Sequence, residues 1–300
     1  MRPKYHIQHV VRKDIDTKKW DASPSLIYNK SWYLDHMTDG QWDALVLEDY
    51  DAVMPLTWKR KWGIRYLYQP AFIQQLGIYA SYQPSAGLID AFVEKLTGRY
   101  RFAEIFLNYH NNHPTFQPYV NFVLDLDAPY TTLSAHYKQD LVNNLKKGRR
   151  ISLQYRDNPA LDESLSLFRQ FYSPRLPHVR PEEYGRFKDL CHTLQQKGQL
   201  ILRGVYNVRQ ELLATAVIPH DDKRLYLLQS TVTPAGRQDG ANHFLLDRLI
   251  AEFAQKPLTL DFEGSEEPGI AHFYANFGGI DQPYFFFRHN KLRWPWSLFK

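Results

Sequence analysis

The stretch from Leu225 to Gly279 concentrates the residues best suited to chemistry. An apolar, strand-like run from Leu225 to Val232 delivers the chain to Thr233-Pro234-Ala235-Gly236-Arg237-Gln238-Asp239-Gly240-Ala241-Asn242, where a helical pattern begins. A glycine-bearing turn that opens a helix leaves backbone N–H groups unpaired beside the positive end of the helix dipole, which suits an anion. Arg237 adds a guanidinium that fits a phosphate. An ordinary strand-to-helix loop has the same composition, so the turn alone leaves both readings open.

Two later segments extend the pattern. The strand-like run Leu258 to Phe262 ends in Glu263-Gly264-Ser265. This sets Asp261, Glu263 and Ser265 at a strand's carboxyl end, where α/β sheets bind ligands. Glu263 there suits a general base or an anchor for a cationic amine, and equally a turn carboxylate. Ser265 reads as the N-cap of the next helix or, with Asp261, as a substrate contact. That helix carries Tyr274, four residues before Gly278-Gly279. Its phenol is either a proton donor or a buried aromatic with a satisfied hydroxyl.

With these motifs, the block resembles the GNAT acyltransferase superfamily. In that superfamily an Arg/Gln-x-x-Gly-x-Gly/Ala turn holds the pyrophosphate of coenzyme A, and a Tyr-x-x-x-Gly helix offers a phenol to the departing thiolate. Arg237 and Gly240 match the turn, Tyr274 and Gly278 match the helix, and Asn242 stands where Gly or Ala is usual. The resemblance implies a cofactor site formed by Thr231, Val232, Arg237, Gly240, Ala241 and Asn242. It also implies acyl-coenzyme A as donor, Tyr274 as acid and Glu263 as base. The basic segment Leu141 to Arg150, with Asp261-Phe262-Glu263-Gly264-Ser265 and Phe273 to Gly278, is similar to the tandem-lobed FemABX-like branch. That branch includes transferases that draw on aminoacyl-tRNA and others that use acyl thioesters, so it implies an aminoacyl-tRNA donor as an alternative; Asn242 in the turn leaves a further one, a binding protein that keeps the fold without catalysis. The acceptor expected is a small molecule or a cell-envelope precursor, with an amine or hydroxyl to acylate.

The elements that must position these residues are legible as an α/β pattern. Each half runs strand, helix, three-strand meander, helix, strand, although no residue-level repeat accompanies that order. The first meander is Ala44 to Glu48, Ala52 to Trp58 and Ile64 to Tyr68. The second is Leu200 to Tyr206, Leu212 to Pro219 and Leu225 to Val232. One helix is expected over Thr132 to Lys147, stopped by Gly148. The fold expected is two tandem acyltransferase lobes, each a mixed sheet flanked by helices. Residues 1–127 form a degenerate lobe that shapes the acceptor cleft, and residues 128–300 form the donor lobe.

Composition narrows the classes further. With 20 Tyr, 18 Phe and 7 Trp, many interior positions must be aromatics whose polar tips seek partners. The single cysteine, Cys191, lies on the stripe Tyr184, Phe187, Leu190, Cys191, Leu194 and reads as a core position. No histidine pair has metal-ligand spacing on a helix, so no metal is expected. Met1 to Trp20 lacks a signal-type apolar run, and no stretch approaches the ~20 apolar residues of a membrane span. A cytoplasmic chain follows, with peripheral membrane contact left open. The net charge of +5 suits an anionic partner such as a phosphorylated cofactor or tRNA, with no DNA-binding motif. Basic residues gather at Trp58-Lys59-Arg60-Lys61-Trp62, read as a hairpin tip, and at Lys146, Lys147, Arg149 and Arg150 at a helix end.

Overall fold

The computed structural model describes residues 5–264 and 267–292. The chain divides into two compact units, Met1–Tyr119 with Pro283–Lys300, and Val120–Gln282. The division falls after Tyr119 rather than after residue 127. The closing strand, Tyr284–Asn290, belongs to the first unit because it pairs antiparallel with two of that unit's strands.

The first unit holds β1 (Ile7–Val11), α1 (Thr17–Ala22), α2 (Ser31–Thr38), β2 (Trp42–Leu47), β3 (Ala52–Lys61), β4 (Ile64–Leu67), β5 (Tyr79–Ala80), α3 (Ala86–Arg99), β6 (Phe102–Leu107) and β7 (Gln117–Tyr119). The sheet order is β1-β2-β3-β4-β6, then Tyr284–Asn290, then β7, with β5 on β3. The expected meander is present as β2, β3 and β4. The segment Trp42–Leu47 is buried throughout, which is why its Trp-Asp-Ala-Leu-Val-Leu sequence is a near-continuous apolar run rather than an alternating one. Local chemistry sets the helix ends. Asp16 caps α1 by accepting from the Lys18 and Lys19 amides, and Ser85 caps α3 by accepting from Leu88 N. Two buried tryptophans find partners for their polar tips: Trp20 Nε1 donates to Asn29 O, and Trp42 Nε1 donates to Asp35 Oδ1 at 2.8 Å.

The second unit holds β8 (Phe122–Asp125), α4 (Tyr130–Ala135), α5 (Gln139–Arg150), β9 (Gln154–Asp157), α6 (Leu161–Tyr172), α7 (Pro181–Gln196), β10 (Leu200–Tyr206), β11 (Leu212–Pro219), β12 (Arg224–Tyr226), β13 (Gln229–Val232), α8 (Pro234–Gln238), α9 (Ala241–Phe253), β14 (Thr259–Asp261), α10 (Pro268–Ala275) and β15 (Ile280–Asp281). The helix expected over Thr132 to Lys147 is two helices. The chain breaks between them where the Lys138 amide donates to Asn276 O at 3.0 Å, outside any helical ladder. Gly148 does not end α5, which runs on to Arg150. Cys191 is fully buried, as expected of a core position, and burial raises its thiol pKa well above the usual range.

The strand expected over Leu225 to Val232 is likewise two strands, and this break governs the unit. The segment β12 lies parallel to β14 in the order β12-β14-β8-β15, whereas β13 lies antiparallel to β11 in the order β13-β11-β10-β9. The change of partner happens at Leu227–Leu228. Leu227 N makes the last bond to β14, on Asp261 O at 2.9 Å, and Leu228 N then turns back onto Tyr226 O at 2.7 Å. That i to i−2 bond is a γ-turn, and it swings the strand away from β14.

Beneath the break, β12 and β14 are locked by a buried ion pair. Arg224 Nη1 donates to Asp261 Oδ2 at 2.5 Å with both side chains almost wholly buried. Gln282 Oε1 accepts from Arg224, while Asp261 Oδ1 accepts from Asn121 Nδ2 and from the Glu263 amide. Removing one member of such a pair leaves the other charge buried and uncompensated. Arg224→Met is therefore expected to lower unfolding stability by about 3–5 kcal/mol in urea denaturation, and a loss below about 1 kcal/mol would contradict the role given to the pair.

Candidate active site

The break at Leu227–Leu228 leaves one edge of β13 without a neighbouring strand among the described residues. The register shows which groups lie along that edge. Thr233 N donates to Leu213 O, so the opposed residues Thr231 and Thr215 exchange ladder hydrogen bonds, and the alternate residues do not. The N–H and C=O groups of Ser230 and Val232 therefore point outward along the free edge, a short template for an extended, amide-containing ligand.

The turn after β13 is built closely against β11. Thr233 caps α8 by accepting from Gly236 N. A Cβ at Gly236 would lie 2.4 Å from Leu213 O, so only glycine permits this approach. Gly240 then takes the left-handed conformation, φ +69°, and opens α9. No side chain caps α9, and the first amide to bond back is Phe244 N, on Gly240 O. The amides of Ala241, Asn242 and His243 have no partner inside the helix, as at the start of any α-helix, and Gly240 and Ala241 are themselves buried. Arg237 is exposed on α8 beside them. The Asn242 side chain is not in the way, because its Oδ1 accepts from Ser230 Oγ at 2.8 Å and is drawn toward the strand. Helix α5 lies against this turn. A Cβ at Gly240 would sit 3.5 Å from Asn144 O, and Lys147 Nζ donates to Gln238 O at 2.6 Å.

Alternation along β13 turns Ser230 toward α9 and Gln229 to the opposite face. Near the start of α9, about 390 Å³ lies among α5, α9 and α10, lined by Asn144, His243, His272, Phe273 and Asn276, with no β13 residue in its walls. Burial lowers the His243 pKa, so this imidazole is neutral at physiological pH. On the other side, about 320 Å³ lies among α6, α7 and β13, with Ser166, Arg169, Tyr184, Lys188 and Gln229 in its walls. Gln229 is 2% exposed, yet neither end of its carboxamide has a partner among the described residues. The Oγ1 atoms of Thr231 and its cross-strand neighbour Thr215 are buried and unbonded in the same way.

Tyr274 lies on α10, where its ring stacks on Phe262 with centroids 4.9 Å apart. Burial raises its pKa far above the usual phenol range, and the nearby Tyr172 and Glu263 push in the same direction. The phenol therefore remains protonated at physiological pH, with a proton to donate. Glu263 follows β14 in the left-handed conformation, φ +62°, with its amide held by Asp261. A non-glycine residue in that region is strained, and the Asp261 contact fixes it there.

The residues expected from sequence thus separate into groups. Glu263 and Tyr172, the latter at the end of α6 and missed by sequence reading, both act electrostatically on Tyr274. Gly240, Ala241, Asn242 and Arg237 lie along the turn between α8 and α9, with Val232 on the free edge. Thr231 turns its side chain to the opposite face, and Asp261 is a correction: expected to meet substrate, it has both oxygens engaged by Arg224, Asn121 and the Glu263 amide, so it positions Glu263 instead. Ser265 lies outside the described residues. Gln229 was missed as well, although a carboxamide inside the apolar run Leu225 to Val232 is itself a signal. An unbonded buried amide destabilises the protein, so Gln229→Leu is expected to gain about 1 kcal/mol in urea denaturation. A loss of that size would show that the carboxamide has a structural partner.

Residues 135–273 match the family model described as an acetyltransferase (GNAT) domain. No curated protein matches the chain. Among solved structures the chain is similar to FemX, at 11% identity and a TM-score of 0.61, over 93% of this chain and 96% of that one. It is also similar to a conserved protein of unknown function from Bacteroides thetaiotaomicron, at 10% identity and a TM-score of 0.57, over 96% and 100%. L-PGS from Bacillus licheniformis aligns at 13% identity and a TM-score of 0.50, over 87% and 88%. At these identities the likeness is one of fold. The chain has a GNAT/FemABX-like fold of tandem lobes, and the match to the acetyltransferase-domain model lies over residues 135–273.

Proposed function

We propose that the protein is an N-acyltransferase that takes an acyl group from acyl-coenzyme A and gives it to an amine. The observation that carries this reading is the free edge of β13 leading directly into the uncapped start of α9. A ligand with amide groups followed by a pyrophosphate meets outward main-chain groups at Ser230 and Val232, then the amides of Ala241 to His243 with Arg237 beside them. Thr231, whose backbone is paired with Thr215, holds this edge in register. When bound, the donor supplies a thioester carbonyl carbon.

The other face of β13 is the acceptor side. Gln229 offers one donor and one acceptor from a buried position, so it orients a polar acceptor by both. The Glu263 carboxylate takes the proton from the attacking amine, the new C–N bond forms, the C–S bond breaks, and the Tyr274 hydroxyl gives its proton to the departing sulfur. Holding the two reactants on either side of one strand edge supplies much of the rate through orientation. Among the described residues no helix is long and apolar enough to cross a membrane.

A second reading rests on α5. With Asn144 O facing Gly240 and Lys147 tied to Gln238, the pyrophosphate turn is partly walled, which favours an aminoacyl-tRNA donor that would use the edge of β13 without the turn. Thermal stabilisation by acetyl-coenzyme A that is lost in Arg237→Glu supports the first reading. Stabilisation by tRNA in low salt, with none by any acyl-coenzyme A, replaces it by the second. In either case Tyr274→Phe is expected to lower kcat about 100-fold with donor KM little changed. Unchanged kcat would remove the phenol from the mechanism.

A further inference from the structure

The hairpin of β3 and β4 carries features that the acyl-transfer reading does not use. The pairing of β3 with β2 ends at Thr57, and β4 meets β6 only at Leu67, so from Lys59 to Tyr66 the strands pair only with each other, a two-stranded ribbon whose Ile64 and Tyr66 pack on Phe102 and Leu292 and whose tip, Arg60 to Gly63, is exposed. Its two-residue loop is Trp62-Gly63, with φ +50° and +80°. Such a turn favours Asn-Gly or Gly-Gly, and a bulky residue at a positive φ is strained. The Trp62 side chain gains no burial in return, since the residue is 61% exposed.

Charge adds a second unfavourable arrangement. Between Asp51 and Asp90 the chain has no carboxylate, and all its cations there, Lys59, Arg60, Lys61 and Arg65, lie on this ribbon. Arg60 and Arg65 stand directly opposite each other across the strands, a like-charge pairing that costs stability in water. The nearest acid to Arg65 is Asp43, at 3.9 Å. An exposed, strained tryptophan and facing arginines both become favourable against an apolar–polar boundary bearing negative charge.

We infer that this ribbon docks the protein on an anionic lipid bilayer, with Trp62 at headgroup depth and Arg60, Lys61 and Arg65 on lipid phosphates. Tryptophan prefers that interface, and each basic residue near it strengthens binding. Single-stranded nucleic acid is the rival partner, but bases need bare ring faces. Here Lys59 covers the Tyr68 ring at 4.1 Å, Lys61 the Trp62 ring at 4.5 Å and Arg65 the Trp58 ring at 4.2 Å.

The test is co-sedimentation of the full chain with vesicles of phosphatidylcholine alone or mixed equally with phosphatidylglycerol. Binding is expected only to the mixed vesicles in low salt, with release in high salt. Trp62→Asn suits the turn better, so its melting temperature should be equal or higher while vesicle affinity falls about tenfold. Arg60→Gln should weaken binding about fivefold. Equal binding by Trp62→Asn, no preference for anionic vesicles, or binding of a single-stranded RNA oligonucleotide in place of vesicles would each overturn the inference.

Discussion

The buried pair of Arg224 and Asp261 is the interaction on which the second unit depends. It fixes β12 against β14 at the point where the chain must next leave that strand, and the γ-turn at Leu228 converts this fixed point into a divergence. A charge pair with almost no exposure is an expensive way to join two strands, since hydrocarbon of similar volume would serve as well or better for stability. What the pair adds is geometry. Asp261 holds the Glu263 amide with one oxygen while Arg224 grips the other, so the same carboxylate that closes the sheet below the break also orients the residue above it.

From that divergence the remaining features follow in sequence. A strand that has left its partner on one side carries unpaired main-chain groups on that side, and alternation presents Ser230 to α9 and Gln229 to α6. The turn after it can open a helix with free amides because Gly236 lets the chain lie on Leu213 and Gly240 accepts a left-handed backbone. Buried polar atoms left unbonded at Gln229, Thr231 and Thr215 lower stability without an internal return. Binding sites are where such arrangements persist.

Much of the fold was legible because its signals are local. Apolar periodicity located the first unit's meander and most helix stripes, whereas glycine was a poorer guide to helix ends, since α5 runs through Gly148. The block around Arg237, Gly240, Glu263 and Tyr274 was visible because its residue types stand near one another in sequence. The breaks were not legible, for a physical reason: Leu225 to Val232 is one apolar run, and its division comes from which strand lies beside each half. The helix over Thr132 to Lys147 was divided by a bond to Asn276, far along the chain. Closure of the first unit's sheet by Tyr284–Asn290 is non-local in the same way, as is the engagement of Asp261 by Arg224, Asn121 and Gln282. Tyr172 carried no sequence signal at all, since the end of α6 reaches Tyr274 only in the folded chain.

The central claim is that the outward edge of β13 and the start of α9 receive the acyl donor. Amide hydrogen exchange with and without saturating acetyl-coenzyme A or aminoacyl-tRNA tests it residue by residue. The account predicts slowed exchange at Ser230, Val232, Ala241, Asn242 and His243 with one of the two donors, and little change at Thr231, whose amide is already paired to β11. Unaltered exchange along this edge with both donors, or protection confined to other strands, would contradict it.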